Sequence, residues 1–259
     1  MTVPRISMTA PAGPEGAPVV VLGPSLGTST ILWEDVSPSL AADYRVVAWD
    51  LPGHGASPAA EEPFTVGEIA DAVAGAIREL GGGPVRYAGV SLGGAVGLEL
   101  CLRHPDLVDR AAIVASGAQL GDSVAWRERA AQARSQSTSS LIVGSAQRWF
   151  APDSIARRPE LTGRLLHALQ DADDDSYARC CEALAEYDVR DRLPSIGVPI
   201  LAAWGEFDAV APEVKAVEIA EGVRDGRAAR IDGAAHLPPA EQPEATARLL
   251  HEFFEGTSR

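Results

Sequence analysis

Short apolar runs rich in β-branched residues alternate along the chain with stretches whose apolar positions recur at helical spacing. The runs at 19–23 (VVVLG), 44–50 (YRVVAWD), 85–91 (VRYAGVS), 108–116 (VDRAAIVAS) and 198–206 (VPILAAWGE) predict buried strands. A shorter candidate lies at 227–233 (RAARIDG), and a weak signal around 3–8 predicts an antiparallel edge strand. Between them, 65–80, 92–103, 212–221 and 241–254 read as helices. Strands apolar along their whole length need cover on both faces. The alternation therefore predicts an α/β fold, with a mostly parallel central sheet and helices on both sides.

Residues 120–190 break this rhythm. They hold helical patterns such as VAWRERAAQARSQ and SLIVGSAQRWF but no clear strand, and the strand pattern resumes at 198. The expectation is a core built from 1–119 and 191–259, with a helical lid at 120–190 inserted into it. Ligands of open parallel sheets bind beyond the carboxyl ends of the strands. An insertion leaving from such an end would cover that site.

Composition narrows the picture. At 259 residues and 46% hydrophobic, the chain can bury a full core. A net charge of -14 with no offsetting basic stretch argues against nucleic-acid or anionic-membrane partners. An anionic ligand would need a local patch of arginine. Cys101, Cys180 and Cys181 form a poor disulfide framework and suit a reducing compartment. The segment MTVPRISMTAPAGPEG lacks the apolar core of a signal peptide, and no window is long enough to span a bilayer. A cytoplasmic protein is expected.

Candidate chemistry centres on Gly89-Val90-Ser91-Leu92-Gly93, a G-x-S-x-G pattern directly after a strand and before a helix. A serine hydroxyl is scarcely ionised at neutral pH. As a nucleophile it needs a base, the base needs an orienting acid, and the developing oxyanion needs donors. A serine in an ordinary glycine-rich turn needs none of these, so the rest of the chain decides. The acid and then the histidine should follow the serine in sequence. Asp208 lies in AAWGEFDAVAP, just past a buried strand, and His236 in DGAAHLPPAEQP, after the last strand. His54 sits in an earlier loop, His104 near a helix end, and His167 and His251 within helical patterns. Only His236 has the required order and position. Glu206, Asp188 and Asp232 are less well placed than Asp208. The N–H of Leu92 is the first expected oxyanion donor. The second lies in LGPSLGTSTILW, at Leu26 or alternatively Gly27. The DLPGHGAS turn at 50–57 reads as structural, despite His54.

Together GPSLGT, DLPGHGAS, GVSLGG, GEFDAVAP and GAAHLPPAEQP resemble the α/β-hydrolase superfamily over essentially the whole chain. The S-L-G-T loop, QRWF (147–150), YARCCEALAEYDVRDRL (177–193) and the AAHL…EQPE ending resemble 3-oxoadipate enol-lactonases. Those enzymes open an enol-lactone in the β-ketoadipate route of aromatic catabolism. Family members often carry Asn-Ser where this chain has Pro24-Ser25, and AAHLSN where it has AAHLPP.

The resemblance implies a serine hydrolase with Ser91 as nucleophile, His236 as base and Asp208 as its orienting acid. Leu26 and Leu92 would hold the oxyanion, and no metal or organic cofactor is needed. The implied substrate is a small anionic lactone. Among the arginines of 120–190, Arg127 and Arg148 each adjoin a tryptophan, Trp126 and Trp149. These four residues and Ser25 are the candidate substrate contacts. A general carboxylesterase or a cofactor-free perhydrolase would share the triad. A non-catalytic binding protein usually lacks a triad member, and here all three are present.

Overall fold

The computed structural model describes residues 2–256 and contains seven strands in one sheet. They are β1 (Ser7–Met8), β2 (Val19–Gly23), β3 (Arg45–Asp50), β4 (Val85–Val90), β5 (Val108–Val114), β6 (Ile200–Gly205) and β7 (Gly226–Ile231). Their order across the sheet is β1-β3-β2-β4-β5-β6-β7. Every neighbouring pair is parallel except β1 and β3, which pair antiparallel through Ser7 with Asp50 and Met8 with Trp49. The weak edge signal thus yields a strand of only two residues.

β2 and β4 are buried at nearly every position, which only cover on both faces can achieve. The helix Leu92–Arg103 packs on β4 and β5, and Val66–Glu79 packs on that helix. Glu213–Gly222 packs on β6 and β7. Val66–Glu79 begins at a capping box, in which Thr65 Oγ1 accepts the Glu68 N–H and Glu68 accepts the Thr65 N–H. β7 is mostly exposed and forms the far edge, where Arg227 and Arg230 discourage pairing with another strand.

The helix expected at 241–254 is split. A single turn, Pro238–Glu241, precedes the helix Pro243–Phe254, with Gln242 between them at φ -137° and ψ 62°. The Pro243 ring disfavours helical backbone at the preceding residue, and the chain breaks there. That turn lies just after His236.

Between β5 and β6 the chain leaves the sheet and returns through Ser123–Gln136, Ile142–Trp149, Ser154–Arg157, Pro159–Asp171 and Asp174–Ala185. The ends of this excursion are tied together. Gln119 bridges Asp188, and the Val189 N–H donates to the Ala118 carbonyl at 2.8 Å. Ser123–Gln136 lies along Asp174–Ala185, with Arg134 paired to both Asp175 and Glu182. All three cysteines are buried free thiols. No described helix is long and apolar enough to cross a membrane.

Candidate active site

Ser91 occupies the turn between β4 and the helix Leu92–Arg103, with φ 55° and ψ -115°. A serine held at positive φ is strained, and the surroundings must impose that conformation. Its N–H donates to the Val114 carbonyl at 2.9 Å, and its carbonyl accepts the Ser116 hydroxyl at 2.7 Å. A Cβ on Gly89 would stand 2.2 Å from the Gly93 oxygen, and one on Gly93 would stand 2.6 Å from the Pro24 oxygen. The flanking glycines are therefore required by close backbone approach.

The loop after β6 carries Asp208 and the loop after β7 carries His236, and the two side chains meet. His236 Nδ1 lies 3.0 Å from Asp208 Oδ2 and 3.2 Å from Oδ1, with both residues buried. Oδ1 also accepts the N–H groups of Val210 and Ala211 at 2.8 and 3.0 Å. Burial is the largest influence on Asp208 and pushes its pKa up. The His236 imidazole and the two backbone donors together outweigh it and hold the carboxyl below its ordinary value. Donating Nδ1–H to this carboxylate leaves Nε2 as the basic nitrogen. Ser91 and His236 both line a cavity of about 460 Å³.

The loop after β2 bears on the choice between Leu26 and Gly27. The Gly27 N–H donates to His54 Nε2 at 3.2 Å, so it is already used. Among the described residues, the N–H groups of Leu26 and Leu92 donate to no protein acceptor. Of the two candidates in this loop, the geometry leaves Leu26. His54 Nδ1 in turn donates to the Pro52 carbonyl at 2.9 Å, and its ring stacks on Tyr177. Burial pushes its pKa down to about 4, so the imidazole is neutral and able to accept. The DLPGHGAS turn is structural in form, yet its histidine reaches the oxyanion loop. Sequence gave no signal for that contact.

Ser25, Leu26, Trp126, Arg148 and Trp149 all line the cavity. Arg127 does not. Its guanidinium bonds the Ser123 hydroxyl and pairs with Glu186 on the surface. On a helix, residue i+1 turns away from residue i, whereas i+3 shares its face. Ala125, Glu128, Arg129 and Gln132, spaced as i, i+3, i+4 and i+7, line the cavity beside Trp126, and the arginine of that face is Arg129 rather than Arg127. Helical spacing counted from Trp126 would have found it.

Arg129 Nε donates to the Tyr177 hydroxyl at 2.7 Å and Nη2 to the Ser145 hydroxyl at 2.9 Å. Both acceptors are neutral. Arg148 is held below the ordinary arginine value by burial and by the nearby charge of Arg129. Among the described residues neither arginine has an ion-pair partner. Asp122 and Glu128 also line the cavity and, like Arg148, are exposed, whereas Arg129 is half-buried; Asp122 caps its own helix through the Val124 and Ala125 N–H groups.

A family model described as the alpha/beta hydrolase fold matches residues 18–243. The chain belongs to this family. It is 30% identical to 3-oxoadipate enol-lactonase 2 of Acinetobacter baylyi over 233 residues, covering 90% of this chain and 87% of that one. It is 32% identical to a pimeloyl-[acyl-carrier protein] methyl ester esterase of Neisseria meningitidis over 255 residues, 94% of this chain and 96% of that protein. The crystal structure of an enol-lactonase from Burkholderia xenovorans superposes with a TM-score of 0.93 at 29% identity, covering 96% of each chain. The α/β-hydrolase family, its sheet and a hydrolase activity are thereby established, with both lactonases and esterases among the relatives.

Proposed function

We propose that this protein hydrolyses a small lactone bearing a free carboxylate, with 3-oxoadipate enol-lactone as the substrate in a cytoplasmic step of aromatic catabolism. One observation carries the reading. Arg129 and Arg148 bring two guanidinium groups without carboxylate partners to the cavity that Ser91 and His236 line. In a chain of net charge -14, that is a local site for an anion. The similarity to enol-lactonases supports it.

The chemistry follows from the site. Ser91 Oγ attacks the lactone carbonyl while His236 Nε2 takes its proton. Asp208 fixes the imidazole tautomer and stabilises its cation. The N–H groups of Leu26 and Leu92 receive the oxyanion, each such donor being worth about 3 kcal/mol in the transition state. When the ring C–O bond breaks, the enol oxygen departs with the proton from His236 and the acyl group stays on Ser91. His236 then activates a water that releases the acid. In this reading the excursion at 120–190 is the lid, since Trp126, Arg129, Arg148 and Trp149 all belong to it.

Hydrolysis of an open-chain carboxylic ester is the second reading, favoured by the similarity to methyl ester esterases. A protection experiment separates the two. A serine-directed phosphonate should label Ser91, and 3-oxoadipate enol-lactone should protect it at lower concentration than a dicarboxylate methyl ester. Protection by the methyl ester alone would favour the esterase.

A further inference from the structure

The segment that closes the excursion's helix Ile142–Trp149 is fastened to the loop that carries His236 at several points. The His236 N–H itself donates to the Trp149 carbonyl at 3.1 Å. Glu241, on the turn Pro238–Glu241, is buried and supplies further links. Its Oε2 accepts the Ala235 N–H at 2.8 Å and the Leu237 N–H at 3.3 Å, the residues on either side of His236. Its Oε1 accepts the Ala151 N–H at 2.6 Å and the Ser154 hydroxyl at 2.8 Å, both in the excursion. One carboxylate thus grips the catalytic loop with one oxygen and the excursion with the other. Arg158, also in the excursion, donates to the Ala240 carbonyl at 3.0 Å and holds the same turn from outside.

We propose that Glu241 is a positioning residue that sets His236 in its working place only while the segment 149–154 is seated, so the excursion is part of the catalytic machinery. The inference rests on His236 acting as the base for Ser91. Glu241 touches no reacting atom and acts through the backbone on both sides of the histidine. Each of its oxygens receives two donors, so neither end can be released without leaving buried N–H groups unpaired. A displacement of the 149–154 segment removes the Trp149 carbonyl and two donors at once, and both changes bear on the His236 loop. A carboxylate that merely stabilised the turn would need no contact with the excursion.

Ser154→Ala removes the bond to Glu241 Oε1, with the one Ser154 accepts from Arg157, both on the excursion side, and leaves every contact of the His236 loop in place. Its kcat on p-nitrophenyl acetate should fall about threefold or more, with KM unchanged. Glu241→Gln should lower kcat about 100-fold, the scale of a misplacement near 1 Å, and slow phosphonate labelling of Ser91 in proportion. The double variant should be no slower than Glu241→Gln alone, because both act through one carboxylate. The proposal is overturned if Ser154→Ala lowers only the melting temperature, or if the two losses in kcat multiply. Should Glu241→Gln fail to fold, the kcat and KM of Ser154→Ala still decide. A Ser91→Ala control that retained ester turnover would instead remove the triad reading on which the inference rests.

Discussion

His54 Nε2 accepts the backbone N–H of Gly27 at 3.2 Å, joining the turn after β3 to the oxyanion loop after β2. The bond fixes the residue next to Leu26, which lines the cavity and whose N–H has no protein acceptor among the described residues. His54→Ala should therefore lower kcat on lactone and ester alike by about tenfold or more, with a small change in KM, because the loss falls on the transition state. Steady-state kinetics on both substrates checks this.

The same histidine makes stability depend on acid. Its folded pKa is about 4 against an ordinary 6.5, so between those values the unfolded chain binds the extra proton. The contribution is full above the ordinary value and is lost as pH falls toward the folded one, amounting to about 3 kcal/mol. The hydrogen bond to the Pro52 carbonyl and, less, the charge of Asp173 oppose the shift, while the stacked Tyr177 ring carries no charge. Denaturant unfolding at about pH 7.5 and about pH 4.5 should show wild type losing more stability than His54→Asn. Equal losses would mean that His54 is not held neutral.

Arg148→Ala and Arg129→Ala should each weaken use of an anionic lactone by about tenfold or more in kcat/KM. Neither should greatly alter turnover of p-nitrophenyl acetate, which has no carboxylate to bind. Arg127→Ala should leave both substrates unaffected, since its partner Glu186 is a surface residue. Kinetics of the three variants side by side distinguishes a built anion site from general surface charge.

Gly93→Ala should destabilise the protein by more than about 2 kcal/mol, because its Cβ would stand 2.6 Å from the Pro24 oxygen in backbone that cannot yield. Gly163→Ala meets nothing within 4 Å and lies inside the helix Pro159–Asp171. That change should be neutral or slightly stabilising. Thermal melts of the pair measure the difference.

The apolar runs are enough to read β2 to β6, because buried parallel strands need no polar alternation, whereas the mostly exposed β7 leaves only a short signal. The places of Ser91, Asp208 and His236 in the fold are legible for a related reason. Each follows a strand, and strand ends are easily seen in such a pattern. What sequence missed lay in contacts between distant loops. Nothing local marks His54 as an acceptor for Gly27, or Glu241 as the carboxylate shared by the His236 loop and the excursion. Adjacency to Trp126 points to Arg127, whereas helical geometry selects Arg129, three positions on. The break at Gln242 was legible in principle, since Pro243 announces it, but the apolar periodicity runs through it.

A hydrolase site built for an anionic lactone must prefer that lactone to a neutral ester. Its most direct test is kcat/KM for 3-oxoadipate enol-lactone and for p-nitrophenyl acetate, measured on one preparation of wild type and of Ser91→Ala. The wild type should clearly prefer the lactone, and the variant should lose both activities. Efficient cleavage of the ester with the lactone untouched would contradict it.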